Sequence, residues 1–150
     1  AGVAVCSRAL SESTMQALAR DVGYSEVAFL HPEGGSWRVR YFAPEIEIPF
    51  CGHATIAAGA ILGLNHGVGQ YDLKTNFASV PVVASMSSTG WMARFVSPRT
   101  FTREMALTYV ERLRACFGLV PDDLDAGLPP RLMNAGANHA LIALRSRRRL

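Results

Sequence analysis

Residues 49–62 read PFCGHATIAAGAIL, and this stretch decides how the rest of the chain is organised. Gly52 ahead of an apolar run marks a tight turn, and residues 54–64 carry almost nothing polar. A helix that is apolar all round has to be enclosed by the fold. Ala57, Ala58, Gly59 and Ala60 are small enough for strands to close in on it. The helix mouth carries Cys51, Gly52 and His53. There the first backbone N–H groups lack intrahelical partners and the helix dipole attracts anions. A carboxylate placed at that mouth would meet the amides of Gly52, His53, Ala54 and Thr55, and Gly52 has no side chain to keep it away. The same field favours a neutral imidazole at position 53. His53 is thus either a chemical group or a structural side chain bonded to a neighbouring strand.

Outward from this helix the chain reads as strands. Val3–Cys6 is a short apolar strand, followed by a helix capped by Ser11, with Glu12 in its first turn and Gly23 at its left-handed end. EVAFLH is a strand, PEGGS a turn, WRVRYFAP a strand with one more polar face, and EIEIPF alternates again. QYDLKTN, VPVVASM and WMARFVS follow as strands. Residues 103–117 are expected to form an amphipathic helix stopped by Gly118, with Met105, Tyr109, Leu113 and Cys116 or Phe117 facing inward. PDDLDAGLPP reads as a surface connection, ALIALR as a last strand and SRRRL as a helix start. The fold class is α+β: a curved mixed or antiparallel sheet wrapped around a central buried helix. The 150 residues are expected to make one domain.

Composition narrows the function classes. Arg145, Arg147, Arg148 and Arg149 account for the net charge of +3, because the remainder holds eleven basic against twelve acidic residues. No aromatic residues interleave with that basic tail, so neither nucleic acid nor a membrane is expected as a partner. The apolar stretch Ile56–Leu64 is too short to cross a bilayer. Three widely spaced cysteines, Cys6, Cys51 and Cys116, point to a reducing compartment, hence a cytoplasmic location. The four histidines show no metal-ligand spacing, and the familiar nucleotide-binding glycine motifs are absent. No zinc site is therefore expected.

Glu26 precedes the apolar Val27–Leu30 run. It is either a solvated strand end or, if enclosed in a cleft, a carboxyl group able to take and return a proton. Cys51 is either an acid/base thiol activated by the helix end or a small inert core residue. Cys6 and Cys116 fit the inert reading, and Glu45 and Glu47 are expected to face solvent.

Taken in order, Ser25, Glu26 and Phe29, then Arg40, Phe42 and Pro44, then Pro49, Phe50, Gly52, His53 and Thr55 resemble the motifs of the phenazine-biosynthesis isomerase-like (PhzF-type) family. The resemblance implies the diaminopimelate-epimerase-like fold, with residues 1–150 forming the N-terminal half. The family's first strand would precede Ala1, and residues 140–150 would begin the crossover to a second half. It also implies a cofactor-independent isomerase acting on a small carboxylated metabolite. Glu26 and His53 would be catalytic, and Ser25, Gly52, Ala54 and Thr55 would bind substrate. Two alternatives stay open. One is a racemase or epimerase using Cys51 as acid/base. The other is a truncated half that only binds or dimerises, a homodimer being compatible with an exposed sheet edge.

Overall fold

In a computed structural model, which describes residues 1–149, the chain divides into two compact units, Ala1–Pro98 and Arg99–Leu150. The first unit contains a seven-stranded curled mixed sheet: β1 (Gly2–Val5), β2 (Val27–Glu33), β3 (Ser36–Phe42), β4 (Glu47–Ile48), β5 (Gly69–Lys74), β6 (Ser79–Ser87) and β7 (Gly90–Phe95). The spatial order is β1-β2-β3-β5-β6-β7, with the short β4 also pairing with β3. The β1–β2 and β3–β5 pairs are parallel and the other pairs antiparallel. No helix of the described residues is long and apolar enough to cross a membrane.

Helices cover both faces of the β2–β3 part of the sheet, which explains why β2 begins with four consecutive buried residues rather than an alternation. Ala28 and Leu30 join Val39, Tyr41 and Leu73 in the core around helix α2 (Gly52–His66). Val27 and Phe29 turn the other way, toward Met15 and Ala19 of α1 (Glu12–Val22) and toward Phe42. The ends of α1 follow the sequence: Ser11 Oγ accepts from the Thr14 amide at 3.1 Å, and Gly23 closes the helix at φ 68°.

Helix α2 lies against β6 and β7 on one side and β1 and β2 on the other. Two of its glycines permit that approach. A Cβ at Gly59 would lie 2.3 Å from Val82 Cγ1 and 2.8 Å from Ala93 Cβ, and one at Gly63 would lie 2.6 Å from the Trp91 ring. The enclosure expected from composition is incomplete, since Ile56 and Leu64 are exposed. Among the described residues the sheet does not close on itself: β1 and β7 are its two ends, each paired on one side only.

Two further expectations need correction here. The alternation of EIEIPF yields only a two-residue strand, because Pro49 has no N–H to continue the ladder. Glu47 is not solvent-facing: it accepts from Arg40 Nε at 2.7 Å and Arg40 Nη2 at 2.6 Å, and from Asn76 Nδ2 at 2.8 Å. Arg40 also donates to Glu12 at 2.8 Å and stacks over Phe42, tying α1 to β3 and β4. The guanidinium holds the Glu47 carboxyl below the usual carboxylate range, against an opposing effect of burial. Glu45 is exposed as expected.

The second unit is a three-stranded antiparallel sheet, β8 (Phe101–Glu104), β9 (Arg131–Asn134) and β10 (Asn138–Leu141), in the order β10-β9-β8, with helix α3 (Leu107–Cys116). Arg103 and Glu104 therefore belong to a strand, and the helix is shorter than its apolar spacing predicts. None of its residues is buried, so Tyr109, Leu113 and Cys116 are not core residues. Cys116 is exposed and Cys6 half-buried, which corrects the reading of both as enclosed thiols. The last strand begins two residues earlier than ALIALR suggests, and Arg147–Arg149 form a single short helical turn. Leu150 lies outside the described residues.

Candidate active site

Backbone parity directs Glu26 toward α2. The Gly2 amide donates to the Glu26 carbonyl at 2.8 Å, extending the β1–β2 ladder by one residue. Glu26 therefore shares a sheet face with Ala28 and Leu30, the face on which α2 packs. At the helix mouth Cys51 is the extended N-cap residue and His53 the second helical residue. His53 Nε2 lies 3.2 Å from Glu26 Oε2, with side-chain exposures of 57% and 21%. That carboxylate oxygen is sealed from solvent, yet the contact lies off the line of a hydrogen bond and leaves it without a hydrogen-bond partner among the described residues. On the opposite ring edge, His53 Nδ1 is 3.2 Å from Cys51 Sγ. Thiol, imidazole and carboxylate thus form one compact cluster.

Burial raises the Cys51 thiol above its ordinary value. The Ala54 and His53 amides pull in the opposite direction, and the Glu26 charge reinforces the rise. The activating effect expected of the helix end is present but outweighed, which favours the inert one of the two readings of Cys51.

The remaining sequence-predicted residues divide. Gly52 is half-buried at the helix mouth, where a Cβ would meet only the edge of Phe95, at 3.5 Å. Ser25 is exposed beside Glu26. Ala54 is fully buried, so only its amide faces the mouth's chemistry, through the sulfur. Thr55 is fully buried and its polar groups are engaged. Its amide donates to the Cys51 carbonyl at 2.9 Å and its hydroxyl donates to the same oxygen at 2.8 Å. The Tyr41 hydroxyl then donates to Thr55 Oγ1 at 2.7 Å. Thr55 supports the turn from beneath and is not placed to hold a ligand.

Sequence reasoning missed that support. Tyr41 is wholly buried, its phenol pushed up to about 12 by burial. The edge-packed rings of Tyr41, Phe50 and Phe95 lie beneath the helix mouth. The alternation of Val39 and Tyr41 along β3 was the available signal. Glu26, Cys51 and His53 are also the residues that could approach a metal ion together, their ligand atoms lying within 4.8 Å of one another.

A curled mixed sheet around a central helix defines a class of half-barrel α+β domains. The particular lineage follows from comparison. The family model described as phenazine biosynthesis-like protein (PhzC-PhzF) matches residues 1–150, and the chain belongs to this family. It is similar to the uncharacterized isomerase YddE of Escherichia coli K12, 47% identical over 71 residues, which cover 47% of this chain and 24% of that protein. An uncharacterized isomerase of Deinococcus radiodurans is 31% identical over 147 residues, covering 91% of this chain and 46% of that one. The fold is similar to that of a predicted epimerase from Pseudomonas aeruginosa, with TM-score 0.82 and 26% identity over 99% of this chain and 54% of that one. A PhzF-family protein from Bacillus anthracis, 24% identical with TM-score 0.66 over 95% of this chain and 50% of that one, shares the fold. The chain spans about half the length of such relatives.

Proposed function

We propose that this chain supplies the proton-transfer half of the site of a PhzF-like isomerase acting on a small carboxylated metabolite. Glu26 takes a proton from an acidified carbon and returns it to another carbon of the same ligand. One carboxyl group serving both steps needs neither a second base nor an electron sink, so the reading invokes no cofactor. His53 Nε2 stands beside the carboxylate, and the positive end of α2, with the Gly52 amide at its mouth, draws the substrate carboxylate and stabilises charge that develops during the shift. Ser25 and Gly52 border the ligand. The other walls of the site come from the portion of the relatives that this chain does not span.

The observation that carries this reading is the sealed, unpartnered Oε2 of Glu26 beside His53. A buried carboxylate oxygen without a donor is costly, and its retention at a helix mouth suits a group that acquires its partner from a ligand. Cys51 as the acid/base has less support, because its thiol is buried and held protonated.

The test is solvent exchange. The protein is incubated in D2O with a panel of small unsaturated cyclic carboxylic acids, and deuterium uptake into each acid is read by mass spectrometry. Uptake at carbon is expected with at least one acid, and Glu26→Gln should reduce its rate by about 100-fold or more. Unchanged uptake in that variant would remove Glu26 from the mechanism.

A further inference from the structure

The position of Cys51 has a consequence for the imidazole next to it. A neutral imidazole carries one proton on one of its two nitrogens, and the partners of the ring decide which. On one edge, a carboxylate oxygen can only accept: Glu26 Oε2 lies 3.2 Å from Nε2, off the line of a hydrogen bond, and its closeness favours a proton there over a lone pair. The other nitrogen, Nδ1, then presents a lone pair, and it faces the Cys51 sulfur at 3.2 Å. A thiol donates one weak hydrogen bond, and here the donor hydrogen is retained because burial and the Glu26 charge both oppose its loss. The sulfur has little freedom to leave. Cys51 is buried at the N-cap, its carbonyl is held by the Thr55 amide and hydroxyl, and Thr55 is held in turn by Tyr41.

We infer that Cys51 is a positioning residue that donates its S–H to His53 Nδ1, fixing the imidazole as the Nε2–H tautomer directed at Glu26. This rests on the proposed role of Glu26 and deepens it. The order of protons, S–H toward Nδ1 and Nε2–H on the carboxylate's side, leaves no ring lone pair to compete with substrate for the proton that Glu26 carries. It also gives the cysteine directly before Gly52-His53 a task that requires no thiolate. The buried threonine and tyrosine become the frame that aims the donor.

The test reads the tautomer in the resting protein, without substrate. Histidine is labelled with 15N in the ring, His53 is assigned by its loss in His53→Gln, and ring-nitrogen shifts are recorded near neutral pH. Nε2 should carry the proton and Nδ1 should not. Cys51→Ala removes the donor and is expected to shift the tautomer ratio about fivefold toward Nδ1–H, the effect of one modest hydrogen bond. Cys51→Ser keeps a donor and should stay closer to the native ratio. A wild-type His53 protonated on Nδ1, or on both nitrogens, overturns the inference. So does a folded Cys51→Ala protein with an unchanged ratio. If the alanine variant does not fold, the wild-type and serine spectra still decide. The deuterium experiment on Glu26→Gln fails or succeeds separately, so loss of the tautomer claim is distinguishable from loss of the proposed function.

Discussion

Gly59→Ala should loosen α2 from the sheet, and the geometry sets the size of the effect. Carbon atoms in contact sit about 3.5–4.0 Å apart. The added methyl would lie 2.3 Å from Val82 Cγ1 and 2.8 Å from Ala93 Cβ. Neither neighbour can yield by a side-chain swing: valine is branched at Cβ, and alanine's Cβ moves only with its backbone. The helix must shift from β6 and β7. Overpacking of this kind costs about 1–3 kcal/mol, and alanine's better helix propensity offsets up to about 1 kcal/mol. A net loss of about 1–2 kcal/mol should lower the urea midpoint by roughly 1 M at an unchanged slope. Adding Val82→Ala removes the nearer clash, so the double variant should be less destabilised than the two single losses combined. An unchanged or raised midpoint in Gly59→Ala would refute the claim that this glycine permits the helix–sheet approach.

Other outcomes follow from the same coordinates. The Glu47 carboxyl is lowered by Arg40, so its contribution to stability is present above the ordinary carboxylate range and is lost as pH falls through its depressed value. Glu47→Gln should therefore flatten the acid limb of a stability–pH curve, checked by urea titrations across that range. Ser11→Ala removes the acceptor for the Thr14 amide and should cost about 1 kcal/mol in thermal or urea unfolding, with α1 fraying at its start. Under native conditions, iodoacetamide should modify exposed Cys116 first and buried Cys51 last, resolved by peptide mass spectrometry; early labelling of Cys51 would contradict its burial.

Legibility in the sequence followed the strength of local signals. The caps of α1 were readable because Ser11 and Gly23 each meet a specific backbone need. The approach of α2 to its strands was readable from small residues, though Gly63 acts there as Gly59 does. Glu26 and His53 were singled out separately, from a strand start and a helix start. Their meeting at 3.2 Å depends on which sheet face position 26 takes, a long-range fact set by β1–β2 pairing. Thr55 was misjudged because a polar residue in a helix's first turn looks available until its carbonyl and tyrosine partners are known. The inward face assigned to α3 rested on helical spacing alone, which records amphipathicity but not whether a covering surface exists.

The central claim is that Glu26 and His53 act as one unit on one ligand. A double-mutant cycle on deuterium uptake, comparing Glu26→Gln, His53→Gln and the pair, tests it most directly. The account predicts that the double variant loses little more than Glu26→Gln alone. A double variant whose loss equals the product of the two single losses would show independent groups and contradict it.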